Sequence, residues 1–142
     1  VIELTRDFLN DLADLVARAR AARGDGDEAR REAILSAYLD VLIAHHRVID
    51  LLSRNPATQN HPDVGLRARN LIEALTAELA GPDSTADDKL RVACAIGAVN
   101  SVAMTPAADA AKARAVVIGA ALAALGAQRH APARGPRRHS AG

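Results

Sequence analysis

Apolar positions recur along this chain with helical spacing, and no stretch alternates as a strand would. Leu4, Thr5, Phe8, Leu12, Leu15, Val16 and Ala19 predict a first helix over about 2–21. Glu3, Arg6, Asp7, Asp11, Asp14 and Arg18 lie mostly on its other side. Gly24-Asp25-Gly26-Asp27 breaks the pattern, and Asp27 is placed to cap the next helix. That second helix is expected over about 28–54. Ile34, Leu35, Tyr38, Leu39, Val41, Leu42, Ile43, Val48, Ile49, Leu51 and Leu52 surround much of its circumference. A helix apolar nearly all round is central and buried. Asn55-Pro56 stops it.

Pro62 after His61 marks a third start. Val64, Ala68, Leu71, Leu75 and Leu79 form one stripe flanked by Ile72, and Gly81-Pro82 closes the segment. Ser84 or Thr85, with Asp87 or Asp88 three residues on, caps a fourth helix running to about Met104. Thr105-Pro106 ends it and opens a fifth, which runs to about Leu125 with Gly126 as its stop. The prediction is an all-α bundle of five to six helices.

Small residues crowd the last two helices. Ala93, Ala95, Gly97, Ala98, Ser101 and Ala103 populate the fourth, and alanines from Ala110 to Ala124, with Gly119, populate the fifth. Small side chains let helix axes approach closely. Apolar groups also point in several directions, so each helix needs more than one neighbour. A symmetric homodimer is the expectation, with Ala93, Gly97, Ser101, Ala113, Val116, Val117, Ala120 and Ala124 in its interface.

Composition sharpens this picture. The 142 residues contain one Phe, one Tyr and no Trp. That argues against β-sandwiches and barrels and against aromatic stacking on single-stranded nucleic acid. One cysteine excludes an internal disulfide framework or a Cys-rich zinc site. No apolar run has the length of a membrane span and no signal peptide is seen, so a cytoplasmic setting is expected. Net charge is +1, unevenly spread. The segment 127–142 carries four arginines and no acid, leaving the body at −3. The chain thus divides into two regions: a bundle over 1–126 and a basic, disordered tail over 127–142.

The chemistry-bearing residues point away from catalysis. His45 and His46 are adjacent, about 100° apart on a helix, and cannot clasp one metal together. His46 and Asp50 share a face, but two ligands fall short of a site. Cys94 lies mid-helix between alanines, without the basic setting that activates a thiol, and reads as a small buried group. No nucleophile elbow or phosphate loop is present. No enzyme, cofactor or metal function is expected. Asn100, between apolar neighbours, is placed to face inward as a polar anchor in an apolar pocket. Glu73 and Arg91 are expected to face solvent.

Several segments, in order, resemble the C-terminal domain of TetR-family transcriptional regulators. They are 37–42 (AYLDVL) running on to 45–56 (HHRVIDLLSRNP), then His61-Pro62, then 79–83 (LAGPD), 95–98 (AIGA) and 120–126 (AALAALG). The resemblance covers residues 1–126. It implies a ligand-responsive regulator, expected to be a repressor. Its helix-turn-helix domain would precede the first helix and reach operator DNA; no DNA-binding residue is assigned in this chain. It further implies that the last two helices pair with their two-fold copies as a four-helix bundle, and that a small molecule binds among the earlier segments. Helix faces then suggest the lining: Phe8, Leu12, Tyr38, Leu42, His45, Leu71, Leu75, Ile96, Asn100 and Met104. Tyr38, His45 and Asn100 would supply hydrogen bonds, and the aliphatic majority suits an apolar or amphipathic effector. The alternative is a structural or adaptor helical dimer with no ligand.

Overall fold

The computed structural model describes residues 2–23, 27–55, 57, 62–105, 109 and 112–126. The tail expected over 127–142, Ala110, Ala111 and the side chains of Asp27, Leu52, Ala103 and Met104 lie outside the described residues. Among those described, six α-helices and no strand are found: α1 (Ile2–Ala21), α2 (Asp27–Ala44), α3 (His46–Arg54), α4 (Pro62–Ala80), α5 (Ala86–Asn100) and α6 (Arg114–Gly126). A short 3-10 turn, Ser101–Met104, follows α5.

The core forms where the stripes meet. α1 buries Thr5, Phe8, Leu9, Leu12, Leu15, Val16 and Ala19. Leu4, expected on that stripe, is half exposed, and Leu9 takes its place. The buried face is thus centred further round the helix than Leu4 reaches. α2 runs centrally, touching α1, α5 and α6, and buries Ile34, Leu35, Tyr38, Leu39, Val41 and Leu42. α5 and α6 pack against each other along their length, and α4 packs on α1 and α5.

The single second helix expected over 28–54 is two helices. His45 leaves helical geometry, with φ −110° and ψ 24°. Hydrogen bonds of helical spacing still flank it, from His45 N–H to Val41 O (3.0 Å) and from Ile49 N–H to His45 O (3.1 Å). The chain therefore kinks without forming a loop. The His45 ring meets Asp11 and lies 5.6 Å from the Phe8 ring, both on α1. Leu51, beyond the kink, is exposed.

Other boundaries follow local chemistry. Pro62 opens α4. Gly81 ends it at φ 88°, a left-handed conformation that glycine adopts without steric cost. Thr85 caps α5 in a capping box. Its hydroxyl accepts from Asp88 N–H, while its own N–H donates to the Asp88 carboxylate. The fourth helix, expected to reach Met104, tightens to 3-10 geometry after Asn100. The regular part of the last begins at Arg114, preceded by a helical-type bond from Ala113 N–H to Asp109 O.

Candidate functional site

The expected ligand lining divides into core and rim. Phe8, Leu12, Tyr38, Leu42, Leu75 and Ile96 all belong to the buried core, and Leu71 packs against it half-buried. Leu12 is 1% exposed and Leu75 is fully buried. These side chains are closed to solvent. Tyr38 donates its hydroxyl proton to Asn100 Oδ1 at 2.6 Å, tying α2 to the end of α5. Burial pushes the Tyr38 hydroxyl up to about 12. Asn100 itself is exposed, so the polar anchor sits at the core's edge and not inside it. His45 Nε2 pairs with Asp11 Oδ2 at 2.6 Å, also at the rim. Met104's side chain lies outside the described residues.

The expected interface residues fall largely outside the core. Ala93, Gly97, Ser101, Val116 and Ala120 are exposed, while Ala113, Val117 and Ala124 are half-buried. Leu90, Cys94, Ala115, Gly119 and Ala123 complete the same outward faces. On α5 the core takes Val92, Ala95, Ile96 and Val99, so at 100° per residue Leu90, Cys94, Gly97 and Ser101 point the opposite way. That is why Cys94, expected buried, is exposed. Leu90 is 65% and Val116 74% exposed. No charged residue occurs from Val92 to Asn100 or from Ala115 to Gly126. A β-carbon built on Gly97 or Gly119 would meet nothing within 4 Å.

A polar cluster missed at the sequence level sits where α1 ends, α2 begins and α4 ends. Glu78 lies on the buried face of α4 between Leu75 and Leu79, its side chain 4% exposed. Its carboxylate accepts from Arg30 Nη2 at 2.7 Å, from Arg23 Nε at 3.0 Å and from Arg23 Nη2, and Arg20 approaches to 3.5 Å. Arg30 also donates to the carbonyls of Ala19 and Glu78, and Arg31 to that of Leu79. These are carbonyls near helix ends, which lack partners within their own helices. Arg23's hydrogen bond, helped by Arg30 and opposed by burial, holds the Glu78 carboxyl below the usual glutamate range. The signal was present in the sequence: a carboxylate on a buried stripe must find a cation.

Beside this cluster opens a cleft of about 990 Å³, its walls including Arg23, Arg31, Thr76, Ser84 and Lys89. Among the described residues no three His, Cys, Asp or Glu side chains gather closely enough to hold a metal. Asp50, on His46's face, is held by Arg54 at 3.0 Å. No described helix is long and apolar enough to cross a membrane. Neither a family model, nor a curated protein, nor a solved structure matches this chain.

Proposed function

We propose that this chain is the dimerising, effector-sensing part of a ligand-responsive transcriptional regulator, with DNA contacted through a helix-turn-helix domain preceding α1. One observation supports the dimer above all: from Val92 to Asn100 and from Ala115 to Gly126 the outward faces of α5 and α6 carry no charge and mostly small side chains. A solvated helix face usually carries charge, whereas the core of an interface is depleted of it. The two mid-helix glycines point the same way. Each costs about 1 kcal/mol of helix propensity relative to alanine, and nothing within the protomer needs the space. A second copy packed closely against Gly97 and Gly119 would. The regulator half of the proposal rests on the ordered resemblance to TetR-family domains.

In this reading the effector shifts a population. It binds better to one arrangement of α1 against the bundle, and so to one spacing of the two DNA-reading heads. Those heads must sit about 34–36 Å apart to meet successive turns of the groove. The His45–Asp11 pair and the Arg67–Asn10 hydrogen bond (2.8 Å) hold α1 to the α2–α3 junction and to α4, and are where such a shift would be felt.

The closed state of Leu12, Leu42 and Leu75 favours a second reading, an adaptor dimer without a small-molecule ligand. Light scattering at micromolar concentration tests what the two share: a mass twice the 14.8 kDa of the chain is expected, and a clean monomer overturns both. Thermal unfolding with apolar and amphipathic metabolites separates them. A specific effector at a hundred times its dissociation constant adds about 2.7 kcal/mol; the adaptor responds to none.

A further inference from the structure

The corner around Glu78 carries more positive charge than its own structure uses. One carboxylate faces three guanidiniums, from Arg20, Arg23 and Arg30. Arg30 is committed: its side chain is 11% exposed, and it spends its two terminal nitrogens, Nη1 and Nη2, on Glu78 and two backbone carbonyls. Arg31 is buried and donates to Leu79 O. Arg20 and Arg23 differ. They are 58% and 66% exposed at the side chain, and both approach the same oxygen, Oε1. A guanidinium has five N–H donors, so each keeps donors beyond those that Glu78 can accept. With Glu78 ionised, these three arginines exceed it by two positive charges, while the full lining of the adjoining cleft balances four cations (Arg23, Arg30, Arg31, Lys89) against four carboxylates (Glu73, Glu78, Asp83, Asp88). The 1–126 body as a whole is net negative, which makes the excess around Glu78 stand out.

The adjoining cleft adds Lys89, which is exposed, and the hydroxyl groups of Thr76 and Ser84. Ile72, Ala77, Leu79 and Pro82 supply apolar wall. Acidic residues share the cleft, but two are spent: Asp88 on the Thr85 N–H and Glu78 on the arginines. Glu73 and Asp83 remain, both exposed.

We propose that this cleft binds an anionic small molecule through a carboxylate or phosphate group. Arg23 holds the anion, Arg20 reinforces its charge, and Lys89 contributes from the start of α5. A guanidinium presents paired donors that match either group. The proposal is independent of the regulator reading and of the dimer.

The test is titration of the whole chain with inorganic phosphate and, separately, with succinate. Thermal unfolding and amide NMR shifts are followed at constant ionic strength set by sodium chloride. A saturable rise in Tm is expected with at least one probe, together with amide shifts confined to Arg23, Arg30 and Gly81–Lys89. Which probe acts identifies the group preferred. Arg23→Gln and Lys89→Gln should each weaken that response by about ten-fold, the loss of one charge-assisted contact. Both side chains are exposed, and far-UV circular dichroism checks that both variants fold. No saturable response to either probe, or a response unchanged in both variants, overturns the proposal.

Discussion

A carboxylate set between Leu75 and Leu79 on a buried face is stable only when its charge is matched. Glu78 is matched by arginines from two other stretches of chain, and their hydrogen bonds outweigh the burial that would otherwise raise its pKa. Replacing it by glutamine leaves Arg30 buried beside a neutral amide. Breaking such a pair costs about 3 kcal/mol, readable as a lower urea midpoint for Glu78→Gln with an unchanged slope. The pH dependence has a definite sign. A carboxyl whose folded pKa lies below its unfolded value of about 4.3 stabilises the fold above that value. The stabilisation disappears as pH falls through the lower folded pKa. Wild type should therefore lose stability below about pH 4 more steeply than Glu78→Gln; parallel acid transitions would refute the role given to the charge. Apolar periodicity sets this residue on the buried stripe of α4 and so demands a cation, but it does not say which, because the partners arrive from elsewhere in the fold. Tyr38 is the parallel case: its place on the stripe of α2 is legible, while its bond to an exposed Asn100 is not.

At the scale of elements, the ends written in local chemistry were readable. Pro62, Gly81-Pro82 and the Thr85–Asp88 box each act through neighbouring backbone atoms, so sequence alone locates them. The kink at His45 was not readable, because the groups meeting its ring, Phe8 and Asp11, belong to another helix. The glycines of α5 and α6 give a test in which the sign decides. In a lone protomer Gly97→Ala and Gly119→Ala have room for the new methyl, and each should stabilise by up to about 1 kcal/mol. In a closely packed dimer the same methyl overpacks the contact, at about 1–3 kcal/mol. Under the proposal, both variants dissociate at higher protein concentration than wild type in dilution-series sedimentation. A gain in thermal stability with no change in association would remove these faces from the interface.

For the whole molecule, the all-α class was legible because every buried stripe has helical spacing. The division between core and ligand pocket was not. Both are lined by the same aliphatic residues, and periodicity assigns Leu12 and Leu75 to a buried face without saying whether another side chain or a ligand fills the space beside it. The outward faces of α5 and α6 were legible in composition but only partly in detail, since the complement of a core stripe is defined once that stripe is known. The Glu78 corner has a further consequence, in time. It fastens the last turn of α1, the first of α2 and the last of α4 to one side chain. Segments distant in the chain are thereby made to open together as one cooperative unit. Native-state hydrogen exchange should give the closing turns of α1 and α4 a common opening free energy, and Glu78→Gln should split it into two.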